Sequence, residues 1–188
     1  MQEVDDLPKT SCGFTGHRPA KLPWKDNEMD SRCVQLKDML RSEIVRLANA
    51  GIVNFLSGMA LVTDVWAAEI VLDERKAHPK LKLHCILPCK EQADKWATKD
   101  QLRYFNILEQ ADSLIYTSRE QTKGCMLKRN RFLVEHSDLI LAVFDGKYRS
   151  GTAATVRYAQ KLRRDIAILD PNTLELLRHP AEREEHDE

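Results

Sequence analysis

The sequence predicts a single-domain α/β fold, doubly wound around a mainly parallel sheet. Three observations carry this expectation. Short apolar runs of strand length alternate with longer segments of helical periodicity. Glycine-bearing turns follow the apolar runs at three places: Gly16-His17-Arg18, Ser57-Gly58-Met59-Ala60, and Asp145-Gly146 with Ser150-Gly151-Thr152. The run from Leu139 to Phe144 holds no polar residue at all, as a strand covered on both faces requires.

Taken in order, Ser11 to Thr15 is the first strand, followed by a loop from Pro19 to Asp30. Leu36, Leu40, Ile44, Leu47 and Ala48 then recur at helical spacing, and Gly51 supplies a left-handed cap. Val53 to Leu56 is the second strand. Leu61 to Lys76 is a helix that is apolar on nearly every side until Asp73, so its first three turns should be buried. Leu81 to Leu87 is the third strand, stopped by Pro88, and a helix around Gln101 to Gln110 leads to a fourth strand at Ser113 to Tyr116. Gly124 precedes a helix from Cys125 to His136. The Asp138 to Phe144 strand, a helix from Thr152 to Leu162 and a last strand from Ile166 to Leu169 complete the set, joined by right-handed crossovers. One domain spans residues 11–178, between a frayed tail at 1–10 and an acidic tail at 179–188.

The bulk properties exclude several classes. At 188 residues the chain is long enough for one well-buried domain. Its 29 basic and 29 acidic residues cancel, which removes the general attraction to a polyanion, so nucleic acid is not an expected partner. No apolar stretch reaches membrane-spanning length and the start lacks a secretory pattern, so the expectation is a cytoplasmic protein with no membrane partner. The cysteines Cys12, Cys33, Cys85, Cys89 and Cys125 are odd in number and lack paired short spacings. Cys85 and Cys89 with His84 want a fourth ligand, and Cys85 lies in an apolar run, so no metal and no required cofactor are expected.

The candidate chemistry sits at the strand ends, where an open parallel sheet binds its ligands. Gly151 and Thr152 open a helix whose free N–H groups suit a phosphate, although a threonine-capped helix start needs no ligand. Gly146 supplies a flexible turn just before them. His17 and Arg18 place an imidazole and a permanent cation after Gly16, as ligand contacts or as solvated turn residues. Asp64 lies in the first turn of an apolar helix, favourable for the dipole alone or as an acceptor for ribose or base. Glu69 is about 140° further round and ~7.5 Å along that helix, so the two do not face each other as an acid and base. Asn130 falls on the stripe of Met126, Leu127, Leu133 and Val134, and needs a partner inside or at a site. Arg129, nearer the helix start, is an anion contact. Neither G-x-G-x-x-G nor the Walker pattern is present.

As a set, these stretches resemble the SLOG superfamily, which includes DprA and the LOG phosphoribohydrolases, and within it the YpsA-like branch. The matching segments are Phe14 to Pro19, Ser57 to Ala60 with Asp64 to Glu69, Arg129-Asn130, Ser137-Asp138, and Phe144 to Gly146 with Gly151-Thr152 and Thr155 to Ala159. The resemblance implies a Rossmann-like sheet that binds nucleotides or nucleotide-derived molecules, often as a homodimer. With the three strand-end loops converging on one crevice, Gly16, Arg18, Gly58, Gly151 and Thr152 would hold phosphate or ribose and Asp64 and Asn130 the sugar or base, with His17, Ser57, Arg129 and Gly146 as further ligand-binding candidates. The sequence departs from the pattern at Val62, where many relatives have glycine, and at Ser150, which replaces the first glycine of Gly-Gly-Thr. Thr155 stands where LOG enzymes carry a glutamate. The leading expectation is therefore nucleotide-derivative binding. The alternatives are a nucleoside-monophosphate N-glycosidase using Arg129 with Asp64 or Glu69, and DprA-like single-stranded DNA binding. The Pro19–Asp30 loop and the segment from Ser118 to Gly124 are open as lids or dimer contacts.

Overall fold

The computed structural model describes residues 10–147 and 149–181, so the tail residues 1–9 and 182–188 lie outside the described residues. Strands β1 (Ser11–Gly16), β2 (Asn54–Ser57), β3 (Lys82–Leu87), β4 (Ser113–Tyr116), β5 (Leu139–Val143), β6 (Asp165–Leu169) and β7 (Leu176–His179) form one sheet in the order β4-β3-β2-β1-β5-β6-β7. Every pairing is parallel except that of β7 with β6. Helices α1 (Ser31–Asn49), α2 (Thr63–Glu74) and α3 (Thr98–Gln110) follow the first three strands, and α4 (Cys125–Glu135) and α5 (Gly151–Lys161) lead into and out of β5. The expected doubly wound architecture is present. The chain steps outward from β1 to β4, then returns to the other side of β1, so the winding reverses between β1 and β5. Loops leaving those two strands diverge to opposite faces and open a crevice between them.

Strand alternation explains the two covering layers. In β5, Leu141 and Val143 join the core beneath α1, α2 and α3, while Ile140 and Ala142 join the core beneath α4 and α5. Phe14 and Phe55 stack across β1 and β2 with ring centroids 5.7 Å apart. Each fully buried side chain of this kind contributes about 1.5–3 kcal/mol. The residues of α2 from Thr63 to Ala68 are all buried, as its apolar sequence requires. Helix α1 begins where the Asp30 carboxylate accepts the Arg32 N–H at 2.9 Å, and Gly51 beyond its end adopts φ +96°.

Two features depart from the sequence reading. The Pro19–Asp30 loop is anchored, because Leu22 and Trp24 are buried against the α1–α3 face. Strand β7 is new. Its four residues show no alternation, and it exists through pairing with β6 and through Arg178, which donates to the buried Glu43 of α1 at 2.6 and 3.2 Å. His84 is a satisfied core residue, bonded to Ser113 at 2.7 Å and Asn54 at 3.0 Å, and Cys85 is fully buried beside it.

An ion cluster ties the loop to this helical layer. Arg103 of α3 bridges Glu28 at 2.6 Å and Glu69 at 2.5 Å, and Lys37 also bonds Glu28. Burial pushes the Glu28 carboxyl up, but the Arg103 and Lys37 hydrogen bonds outweigh it and hold the group at about 2. A depressed carboxyl stabilises the fold above its ordinary value of 4.5 and loses that contribution as pH falls toward about 2. Thermal melts should therefore drop steeply across this acid range, and Glu28→Gln should make that limb shallower while lowering the neutral Tm.

Candidate functional site

The crevice at the reversal point is a cleft of about 340 Å³. Its walls are Thr15 to Arg18 with Ala20 and Lys21 after β1, Ala60 and Asp64 before and within α2, Met126, Arg129 and Asn130 of α4, and Ser150 to Thr152 at the start of α5. Loops from three strand ends thus contribute to a single cleft, together with the start of α4.

The anion-receptive wall is the start of α5. Ser150 caps the helix by accepting the Ala153 N–H at 2.9 Å, and its carbonyl accepts from Ala154. The Gly151 and Thr152 N–H groups have no hydrogen-bond acceptor among the described residues and lie at the positive end of the helix dipole. A Cβ at Gly151 would meet nothing within 4 Å, so this wall is open. Arg18 lines the same cleft and is exposed, and its guanidinium makes no hydrogen bond or ion pair among the described residues. Lys21 reaches over to the Arg149 carbonyl at 2.9 Å and ties the two loops together.

The floor holds a buried charge pair. Arg129 is 4% exposed and Asp64 5%, with Nη1 and Oδ2 3.5 Å apart. Burial raises the Asp64 carboxyl, and Arg129 with the Ala60 N–H pulls it back. Burial likewise lowers Arg129, against the attraction of Asp64. Asp64 also accepts the Ala60 N–H at 3.2 Å, while its carbonyl takes the Ser57 hydroxyl at 2.9 Å. These bonds fold the turn between β2 and α2 back on itself.

The same pair shows what the glycines are for. A Cβ at Gly58 would lie 1.4 Å from Arg129 Nη1, so this glycine admits a guanidinium rather than a ligand. A Cβ at Gly16 would lie 2.4–2.5 Å from three Thr63 side-chain atoms, which makes Gly16 the seat of α2 on β1. Ser57 is fully buried and, like Gly58, does not line the cleft. Gly146 stands outside as well, at φ +74° in the loop beyond β5. Glu69 lies in the separate groove between α1, α2 and α3, paired with Arg103. Asn130 finds its partner in Thr155, whose hydroxyl accepts from Nδ2 at 3.1 Å and donates to the Gly151 carbonyl at 2.9 Å.

Val62, where glycine was the family pattern, adopts φ +79° and ψ −103°. A β-branched residue is strained there by about 1–3 kcal/mol. Its side chain is buried, and burying a valine contributes a similar ~1.5–3 kcal/mol. The two terms nearly cancel, so Val62→Gly is expected to shift stability by no more than about 1 kcal/mol in urea melts. Val65→Gly, in the first turn of α2 with no strain to release, should cost on the order of 3 kcal/mol.

Sequence reasoning missed Asp145 as a partner of the site. His17 is 1% exposed, its ring edge-on to Phe144, with Nε2 2.7 Å from Asp145 Oδ1. Burial pushes the Asp145 carboxyl up, but the His17 hydrogen bond and the Lys147 N–H and ammonium outweigh it and hold the group at about 2. The only signal in the sequence was that both residues follow strand ends.

A family model for YpsA, described as the YspA SLOG family, matches residues 12–174. The chain belongs to this family. Among YpsA relatives, a UPF0398 protein of Brevibacillus brevis is 34% identical over 121 residues, 63% of this chain and 64% of that protein. The SPbeta prophage-derived protein YoqJ of Bacillus subtilis is 33% identical over 141 residues, 68% of this chain and 82% of the relative. The first match thus spans a little under two thirds of the Brevibacillus protein. Among solved structures, DNA processing protein A from Streptococcus pneumoniae superposes with TM-score 0.57 at 14% identity, covering 86% of this chain and 50% of that one. The same protein from Helicobacter pylori, reported for its single-stranded DNA binding mode, superposes with TM-score 0.58 at 20% identity, covering 92% and 82%.

These neighbours share the Rossmann-like fold of this chain, and they correct one expectation. Charge neutrality had argued against nucleic acid, yet a protein with this fold binds single strands. Net charge describes the whole surface, whereas a local groove can hold a strand. Among the described residues, no helix is long and apolar enough to cross a membrane.

Proposed function

We propose that this YpsA-family chain binds a nucleotide or nucleotide-derived anion in the cleft between the ends of β1 and β5. The observation that carries this reading is that the unbonded N–H groups at the start of α5 and the exposed cation of Arg18 line one cleft at the winding reversal. A phosphate there gains helix-dipole and charge-assisted bonds without displacing an existing salt bridge. Arg129 is already neutralised by Asp64, so it shapes the floor and adds little net charge. Calorimetric titration with AMP, ADP-ribose and NAD tests the proposal. Binding that Arg18→Ala weakens is the expected result, and a silent panel with inorganic phosphate also inert would overturn it.

A second reading is single-stranded DNA, favoured by the likeness to the Helicobacter pylori protein. It predicts a shift of labelled oligonucleotides that weakens steeply with salt. Oligonucleotide binding in the absence of mononucleotide binding would favour this second reading over the first.

A further inference from the structure

The His17–Asp145 pair demands something of the ligand. Nε2 has two neighbours with opposite requirements: the Asp145 carboxylate oxygen at 2.7 Å needs a proton on Nε2, and the Asp145 backbone N–H at 3.4 Å needs a lone pair. The shorter, charge-assisted contact decides, because an unprotonated Nε2 would oppose its lone pair to that of an ionised oxygen. Besides the His17 hydrogen bond, Asp145 is kept ionised by Lys147, whose N–H lies 3.1 Å from Oδ1 and whose ammonium lies 3.2 Å from Oδ2. A neutral imidazole with its proton on Nε2 carries a lone pair on Nδ1. That Nδ1 is buried and has no hydrogen-bond partner among the described residues, in a residue that lines the cleft.

Resting on the nucleotide reading above, we infer that His17 Nδ1 accepts a hydrogen bond from a ribose 2′- or 3′-hydroxyl, so that the cleft disfavours sugar phosphates that lack that hydroxyl. His17 sits on the same turn as Arg18, the cation assigned to the phosphate. The part of a nucleotide within one residue's reach of its phosphate is the sugar, and a hydroxyl is the donor a sugar offers. Asp145 acts as the positioning residue, since it holds the ring in the tautomer that accepts. A site whose buried acceptor is left unpaired by the deoxy analogue rejects that analogue strongly.

The test has two arms. Titrating the protein with AMP, 2′-deoxy-AMP and 3′-deoxy-AMP, and with ribose 5-phosphate as the sugar alone, should show one deoxy analogue at least tenfold weaker. His17→Phe, which keeps an aromatic ring against Phe144, should bring the ratio of ribonucleotide to deoxy-analogue affinity down toward one. Independently of any variant, nitrogen NMR of the wild-type imidazole should show the proton on Nε2 and the lone pair on Nδ1 in the AMP complex. Equal affinity for all three nucleotides overturns this inference and leaves nucleotide binding standing; no binding by any of them removes both. A ring protonated on Nδ1 also overturns it.

Discussion

Arg129→Met is expected to lower stability by about 3–5 kcal/mol at neutral pH, because it removes one partner of a buried ion pair and leaves the Asp64 carboxylate uncompensated. For a domain of this size, that corresponds to a fall in Tm of roughly 6–20 °C. The defect should depend on pH with a definite sign. Without the guanidinium, burial acts on Asp64 opposed mainly by the Ala60 N–H, and the folded-state carboxyl rises further above its ordinary value. A raised carboxyl disfavours the fold where it must ionise, so the variant loses stability as pH rises above about 3.8 and recovers it in acid. Differential scanning calorimetry of both proteins from pH 4 to 8 checks this, with the gap expected to be widest at neutral pH. The double variant Asp64→Leu with Arg129→Met should recover much of the loss, since removing both charges also removes the cost of burying them. A gap that is the same at every pH would show that Arg129 supports the fold through packing alone.

Gly151→Asp is the counterpart: a large loss of binding with no loss of stability. The added Cβ meets no atom within 4 Å, and the substitution places a carboxylate in the first turn of α5, where the dipole favours it by about 0.3–1 kcal/mol. Tm should therefore stay level or rise by a few degrees. The same carboxylate repels an anion held by the Gly151 and Thr152 N–H groups. At a separation of ~4 Å and an effective dielectric near 20, one unit-charge repulsion is about 4 kcal/mol, enough for a loss on the order of a hundredfold or more. Gly151→Ala separates charge from bulk, and calorimetric titration should find its affinity within a few-fold of wild type. If the aspartate and alanine variants bind AMP equally well, the start of α5 is not the phosphate site.

The alternation of strands and helices was legible because burial imposes it locally. The run from Leu139 to Phe144 declares a strand covered on both faces, and the periodicity of Leu36, Leu40, Ile44 and Leu47 declares a helix with one inward stripe. Strand β7 escaped because it lies at the sheet edge, half in solvent, and is defined by β6 and by Glu43 rather than by its own residues. The strand-end turns were legible as a group, but the purpose of each glycine was not. A glycine that admits a ligand and one that admits a neighbouring side chain read identically in a chain, and Gly58 is of the second kind.

By itself, then, the sequence determined the class of fold, the positions of the strand-end turns and the cationic and hydroxyl-bearing residues among them. Only the tertiary structure decided that the turns after β1 and β5 flank one cleft, that Arg129 lies over Gly58 against Asp64, and that His17 meets Asp145 from 128 residues away. The physical reason is that periodicity records whether a side chain leaves water. Which partner it finds there depends on strand order and helix packing, which bring together residues far apart in the chain.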